Sequence, residues 1–271
     1  MIKVNDVEIK RFNFSGGEVY TKVDLESLVE RDSDFVGIYA ELQTSDDIMS
    51  LLMITDTIKR IKRNPKICLE IPYFPYARQD KITEKGEALS LKVICDLINA
   101  QKYHVIITTD VHSDTTRALL DTQVVFVEQH DLVLRAIKQF DIKIDALVSP
   151  DFGASKKIYK LATELDLPVI QANKVRDNKG QIIKTEVYVD NLEGKDVLIV
   201  DDCCDGARTF IEIAKVLKEK NVGSISLYVT HGIFSKGLDV IFESGISKIY
   251  TTSSFRNGLE YENLFVMDLN S

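Results

Sequence analysis

Val197-Leu198-Ile199-Val200-Asp201-Asp202-Cys203-Cys204-Asp205-Gly206-Ala207-Arg208-Thr209 is the stretch on which the fold turns. An unbroken apolar run of four residues suits a strand buried on both faces, as in a parallel sheet covered by helices. The polar, small-residue segment that follows reads as a loop. Phe210, Ile213, Ala214 and Leu217 then recur at three- and four-residue spacing, one core-facing stripe of a helix. The same unit repeats along the chain. Ile67-Cys68-Leu69-Glu70-Ile71, Val105-Ile106-Ile107, Ala146-Leu147-Val148 and Ile225-Ser226-Leu227-Tyr228-Val229 read as further strands. Ile48, Leu51, Leu52 and Ile58, and Ala154, Ile158, Leu161, Ala162 and Leu165, read as further helical stripes. Strands alternating with amphipathic helices define an α/β fold.

The chain of 271 residues is 45% hydrophobic and 28% charged, an ordinary globular composition with ample material for a core. Its formal charge of −8 argues against a nucleic-acid or anionic-membrane surface, so a polyanionic ligand must meet local positive charge. The alternating start, Met1-Ile2-Lys3-Val4-Asn5-Asp6-Val7-Glu8, has no secretory apolar core, and no stretch approaches a membrane span, so a cytoplasmic protein is expected. Cys68, Cys95, Cys203 and Cys204 lack metal-ligand spacing and are expected as free thiols. Length suggests two domains, 1–130 and 131–255, followed by a tail over 256–271 able to return to the first. Asn173 to Gly180 is polar and turn-rich, and residues 174–184 are expected to be an exposed, mobile loop.

Ligands of open α/β sheets bind beyond the carboxyl ends of strands, so the chemistry is sought there. After Val200, three acids in five residues, Asp201, Asp202 and Asp205, precede a small-residue loop. Adjacent carboxylates accept hydrogen bonds from vicinal sugar hydroxyls, and backbone N–H groups entering a helix suit a phosphate. The competing reading is that the acids cap the helix. Ser149-Pro150-Asp151-Phe152-Gly153 repeats the pattern after Val148, and Thr109-Asp110-Val111-His112 follows the strand from Val105. His112 suits a metal or phosphate oxygen, although a lone histidine is commonly structural. Arg78, in Pro72-Tyr73-Phe74-Pro75-Tyr76-Ala77-Arg78-Gln79-Asp80, offers a planar fork for phosphate.

That last segment resembles a signature of the phosphoribosyl pyrophosphate synthetases, or ribose-phosphate diphosphokinases, and Thr230-His231-Gly232-Ile233-Phe234-Ser235 resembles a second. The resemblance covers nearly the whole chain. It implies two phosphoribosyltransferase-like domains, each a mainly parallel sheet flanked by helices, and transfer of the diphosphoryl group of Mg²⁺·ATP to the 1-hydroxyl of ribose 5-phosphate. By resemblance, Phe14 and Glu18 hold adenine in a neighbouring subunit's site, which implies a homo-oligomer, dimer or hexamer. Arg78, Gln79 and His112 match ATP-binding positions, and His112 and Asp151 match positions beside Mg²⁺. Lys174 and Arg176 match catalytic cations. Asp151, Asp201 and Asp202 match acids around the ribose, and Asp205, Gly206, Ala207, Arg208 and Thr209 match the cradle of its 5-phosphate.

Departures accompany the match. The family cradle usually reads Asp-Thr-Gly/Ala-Gly-Thr, whereas Gly206 here removes a hydroxyl and Arg208 replaces a glycine with a long cation. An acceptor substituted beyond the 5-phosphate, ADP-ribose, is therefore the alternative to ribose 5-phosphate. The plain reading of Arg208 pairs it with Glu212 one helical turn on. Val175 stands between Lys174 and Arg176 where a basic residue is usual, and Lys85-Gly86-Glu87 lacks an arginine common in the allosteric segment, so control by phosphate or ADP is not assumed. The family's first strand and helix and its final helix have no counterpart. A catalytically silent nucleotide-binding relative is the alternative of another class, against which the presence of both Lys174 and Arg176 weighs.

Overall fold

The computed structural model describes residues 1–29, 34–176, 182–255 and 258–269, with backbone alone at 29, 174–176 and 182–183. It divides into two units, Met1–Val127 and Glu128–Ser271, a boundary a few residues before the expected one.

The first unit opens with β1 (Ile2–Val4), β2 (Val7–Glu8), β3 (Lys10–Asn13), β4 (Val19–Lys22) and α1 (Leu25–Val29). It continues with β5 (Phe35–Ala40), α2 (Ser45–Ile61), β6 (Lys66–Ile71), α3 (Ser90–Asn99), β7 (Val105–Thr109), α4 (Asp114–Leu119) and β8 (Gln123–Val127). The sheet order is β2-β1-β5-β6-β7-β8. β5 to β8 run parallel, while β1 is antiparallel to both β2 and β5. Parallel neighbours need the crossover helices that the periodicity announced. α2 turns Leu51, Ile54 and Ile58 fully into the core, each contributing about 1.5–3 kcal/mol by burial. β3 and β4 form a separate two-stranded ribbon.

The second unit contains α5 (Gln129–Phe140), β9 (Ala146–Ser149), α6 (Phe152–Leu165), β10 (Val169–Arg176), β11 (Ile182–Val187) and β12 (Val197–Cys204). α7 (Arg208–Glu219), β13 (Ile225–Gly232), α8 (Asp239–Glu243), β14 (Ile246–Thr252) and β15 (Leu264–Met267) complete it. The sheet order is β11-β10-β9-β12-β13-β14-β15, parallel except for β11. Every residue of β9 and β13 is buried, as continuous apolar strands in a covered sheet require.

Three expectations are corrected here. Residues 174–184 are not simply a loop: Lys174 to Arg176 end β10 and pair antiparallel with Thr185 to Ile182 of β11, with a register shift after Val175. Residues 177–181 lie outside the described part. The tail belongs to the second unit, where β15 adds in parallel to β14 at the edge of the sheet. There Arg135 donates to the Asp268 carbonyl at 2.7 Å. Asp201 and Asp202 do not follow the strand but lie on it, since β12 runs through Cys204. The cysteines are free thiols.

Candidate active site

In the second unit, neighbouring parallel strands β9 and β12 deliver their acids to one end of the sheet. Asp151 is extended backbone at the N-cap of α6, where its Oδ1 accepts from the Ala154 N–H at 3.0 Å. The Ser149 and Ser155 hydroxyls donate to the Asp151 carbonyl at 2.9 and 3.1 Å, fixing the turn. On β12 the Asp202 N–H donates to Asp201 Oδ1 at 2.9 Å. Burial pushes the Asp201 carboxyl well above the usual carboxylate range, and the charges of Asp202 and, more weakly, Asp151 add to the effect. A half-buried acid crowded by like charges is poised for partners that hydrogen-bond to it or neutralise it.

The acids after Val200 do not cap the next helix. The N-cap of α7 is Ala207, a left-handed residue with φ 59° that makes no side-chain cap, and the first turn carries no acid. The Ala207 N–H is turned to the Cys204 thiol, and the N–H groups that follow it at the start of α7 suit an anion. Gly206 is exposed, and a Cβ there would meet only Lys236 Cγ, at 3.9 Å. Arg208 is exposed, and its expected pairing with Glu212 is not made: Glu212 instead accepts from Lys215 Nζ at 2.9 Å. Asp205 and Thr209 flank this loop at intermediate exposure.

The second signature supports the loop from behind. The N–H groups of Ile233 and Phe234 both donate to the Cys204 carbonyl, at 2.9 and 3.0 Å. His231 is buried, its Nδ1 2.7 Å from Ser254 Oγ, and Ser254 Oγ donates to the Thr230 carbonyl at 2.9 Å. This histidine holds the ends of β13 and β14 together. Lys236, which sequence reasoning passed over, is carried by the turn that leaves this clasp; the only signal for it was its place just after Ser235.

In the first unit, candidates follow the ends of neighbouring strands β6 and β7. Phe74 and Ala77 are buried and anchor the β6 loop, so that Arg78 and Gln79 are presented on its exposed side. After β7, Asp110 is buried in a left-handed conformation (φ 38°), and its N–H donates to the Val127 carbonyl at 2.8 Å. His112 stands exposed two residues on. The hydroxyls of Thr108, Ser113 and Thr116 are buried around this loop without a hydrogen-bond partner, a cluster of unused polar atoms that apolar periodicity could not disclose.

Phe14 sits at the tip of the β3–β4 ribbon, half exposed, edge-on to Phe12 and Tyr20 at 5.1 and 6.0 Å between ring centroids. The turn places Gly17 at φ 94°, a conformation that favours glycine. Arg11 pairs with Asp47, and Asn13 Nδ2 donates to Asp46 Oδ2 at 2.7 Å, tying the ribbon to α2. The side chains of Lys174 and Arg176 lie outside the described part. Among the described residues no three His, Cys, Asp or Glu side chains gather to hold a metal. His112 belongs to the first unit and Asp151 to the second.

Residues 1–101 match the family model for the N-terminal domain of ribose phosphate pyrophosphokinase, and residues 115–249 match that for the phosphoribosyl transferase domain. A ribose-phosphate pyrophosphokinase of Mycoplasma genitalium is 31% identical, the match covering 85% of this chain and 68% of the relative. The chain belongs to the ribose-phosphate pyrophosphokinase family. Another member, from Thermosipho africanus, is 28% identical over 93% of this chain and 79% of its own. The crystal structure of phosphoribosylpyrophosphate synthetase from Mycobacterium smegmatis superposes with a TM-score of 0.81, covering 98% of this chain and 88% of that one. At 23% identity this likeness supports the fold: two phosphoribosyltransferase-like units, each a mainly parallel sheet flanked by helices. Ribose-phosphate pyrophosphokinases are transferases, so the chain is placed among enzymes. No helix among its described residues is long and apolar enough to cross a membrane.

Proposed function

We propose that this chain transfers the β,γ-diphosphoryl group of ATP to the 1-hydroxyl of ribose 5-phosphate, giving phosphoribosyl pyrophosphate and AMP, in the cytoplasm. The observation that carries the reading is the pairing, within one unit, of a carboxylate cluster at Asp151, Asp201 and Asp202 with the uncapped start of α7. Carboxylates accept from the sugar hydroxyls, and the N–H groups of Arg208 and Thr209 hold the 5-phosphate. So fixed, the 1-hydroxyl attacks the β-phosphorus in line. Its oxygen forms the new bond, its proton is released, and the bond from the β-phosphorus to the bridging oxygen breaks, so that AMP leaves with that oxygen. Catalysis of this kind is chiefly positioning and charge stabilisation. Lys174 and Arg176 supply positive charge to the transferring group, and Arg78, Gln79 and His112 bind ATP.

The oxygen donors present fit Mg²⁺, which binds through one or two carboxylates, waters and substrate phosphates and needs no cage made wholly of protein. Asp151 in the second unit and, separately, His112 in the first are each proposed as Mg²⁺ contacts. When bound, Mg²⁺ neutralises phosphate charge that the carboxylates would otherwise repel. Phe14, projecting from its ribbon with Glu18, is proposed to complete a neighbouring subunit's ATP site, so the active form is a homo-oligomer. A second reading differs only in the acceptor. Because Glu212 does not engage Arg208, that guanidinium is available to a substituent beyond the 5-phosphate, and ADP-ribose is the candidate.

The test measures AMP released from Mg²⁺·ATP with ribose 5-phosphate and with ADP-ribose in turn. Release with either supports diphosphoryl transfer, and the faster acceptor decides between the two readings. ATP binding without AMP release for any ribose would instead support a silent nucleotide-binding relative.

A further inference from the structure

Lys236 has no place in the site described by sequence, yet it is the side chain closest to the space above Gly206. Its position is built. Ile233 and Phe234 are clasped to the Cys204 carbonyl, and the Gly237 N–H closes a turn onto the Phe234 carbonyl at 2.9 Å. Phe234 and Gly237 both adopt positive φ, 50° and 76°. This turn lays the Lys236 stem alongside Gly206, so the absence of a side chain at 206 leaves the path of the lysine clear.

Arg208 occupies the first position of α7. A cation there faces the positive end of the helix dipole, an unfavourable placement unless an anion joins it. No acid lies in the first turn of α7, and Glu212 is engaged by Lys215. Among the described residues no ion pair engages either Arg208 or Lys236. Two cations, neither in an ion pair among the described residues, therefore stand by one exposed glycine that Asp205 precedes, at a helix start whose own N–H groups suffice for a single phosphate.

We propose that Lys236 is a specificity-determining residue that acts with Arg208 to bind the second phosphate of an acceptor whose ribose carries a 5-diphosphate ester. The inference rests on the diphosphoryl-transfer reading above and deepens its second form, in which ADP-ribose is the acceptor. In such an ester the inner phosphate takes the N–H groups of α7 and the outer phosphate lies between guanidinium and ammonium. The group beyond it leaves over Gly206, where nothing but the lysine stem stands within van der Waals contact of a Cβ. A terminal monophosphate gives the two cations no second anion.

The experiment compares kcat/KM for ADP-ribose and ribose 5-phosphate in the parent, Lys236→Met and Arg208→Met, all with Mg²⁺·ATP. Methionine keeps an unbranched stem and removes the charge. A charge-assisted hydrogen bond lost to one acceptor alone lowers the ratio about tenfold or more, mainly through KM for ADP-ribose. Both side chains are exposed, so melting temperatures should match the parent's. Calorimetric binding of ADP-ribose should weaken in parallel. AMP release with ribose 5-phosphate but none with ADP-ribose, or an unchanged ratio in Lys236→Met, would overturn the inference and leave diphosphoryl transfer standing. Release with neither acceptor would remove both.

Discussion

Replacing Asp47 by alanine should loosen the β3–β4 ribbon and destabilise the first unit together. Its Oδ2 accepts from the N–H groups of Gln43 and Thr44, at 3.0 and 2.7 Å, and from the Thr44 hydroxyl at 2.7 Å. Its Oδ1 takes the Arg11 guanidinium of the ribbon. With Thr44 it also forms a reciprocal capping box at the start of α2. Alanine leaves two partly buried N–H donors without acceptors, about 1 kcal/mol each. The ion pair adds up to about 1 kcal/mol, discounted because the Arg11 side chain is 29% exposed. The sum is about 3 kcal/mol, or a fall of about 6–12 °C in melting temperature for a domain of this size. Asn keeps one acceptor oxygen and should cost roughly half as much.

The pH dependence follows in sign. Burial works to raise the Asp47 pKa, but hydrogen bonds from Thr44 and Arg11 together with the Arg11 charge outweigh it and hold the carboxyl below its ordinary value. A folded pKa below the unfolded one, about 3.9, stabilises fully above that value, and the contribution is lost as pH falls through the folded pKa. The gap between parent and Asp47→Ala should therefore stay constant from pH 8 to pH 5 and close only in stronger acid. Calorimetric melts across that range check the size and the sign. Hydrogen exchange should rise over residues 10–22. A loss under about 1 kcal/mol, or unchanged exchange in the ribbon, would refute the assignment of Asp47 as the ribbon's tether.

Asp201→Asn should melt at a higher temperature than the parent at neutral pH, because it relieves a half-buried carboxyl crowded by Asp202, while turnover falls at least about a hundredfold; paired melts and kinetics check both. Lys174→Ala and Arg176→Ala should each lower kcat by about a hundredfold or more with ATP affinity largely kept, since a transition-state cation is worth ~2.7–4 kcal/mol by analogy with oxyanion donors. Unchanged turnover in both would sink the proposed mechanism. Gly232→Ala should destabilise the second unit by about 1–3 kcal/mol through overpacking, because its Cβ would lie 2.3 Å from Phe234 Cε2 and 2.8 Å from Thr251 Oγ1. Denaturant titration reads this. Light scattering should give a mass of at least two chains, and a fully active monomer would show that Phe14 serves its own chain.

Much of this architecture was legible because burial writes itself as periodicity. Val197 to Val200 and Phe210 to Leu217 are apolar where the sheet and helix bury them, and both elements formed where the spacing placed them. What escaped was structure whose polar residues mimic loops. Asp201 and Asp202 extend β12 beyond the apolar stretch, Asp201 in register with Val229, although neither side chain serves the core. Lys174 to Arg176 pair with β11 as an antiparallel ribbon at the edge of the sheet, a pairing that a polar, turn-rich sequence does not announce. Arg78, Gln79 and His112 were legible by resemblance, but their placement after neighbouring strands needed the sheet order. Lys236 was hidden for another reason: its relation to Gly206 spans 30 positions of sequence and arises only because β13 lies beside β12.

That relation also answers how a chain of formal charge −8 can hold polyanions. Net charge acts at long range and is screened over about 8 Å at physiological ionic strength, whereas a bound sugar phosphate meets individual groups. In the second unit these groups are sorted. Asp201 and Asp202 stand on β12 before Cys204, and Arg208 and Lys236 stand beyond the turn at Gly206. A ribose phosphate is sorted in the same sense, with ring hydroxyls at one end and anionic oxygen at the other. Bound as proposed, hydroxyls donate to carboxylates and phosphate faces cations. Reversed, phosphate would meet two acids and the guanidinium would meet neutral hydroxyls, so each contact would lose its attraction or become repulsive. In the proposed binding mode the acids would select orientation as well as substrate, and a charge that repels free phosphate from one end of the site would direct the same phosphate to the other.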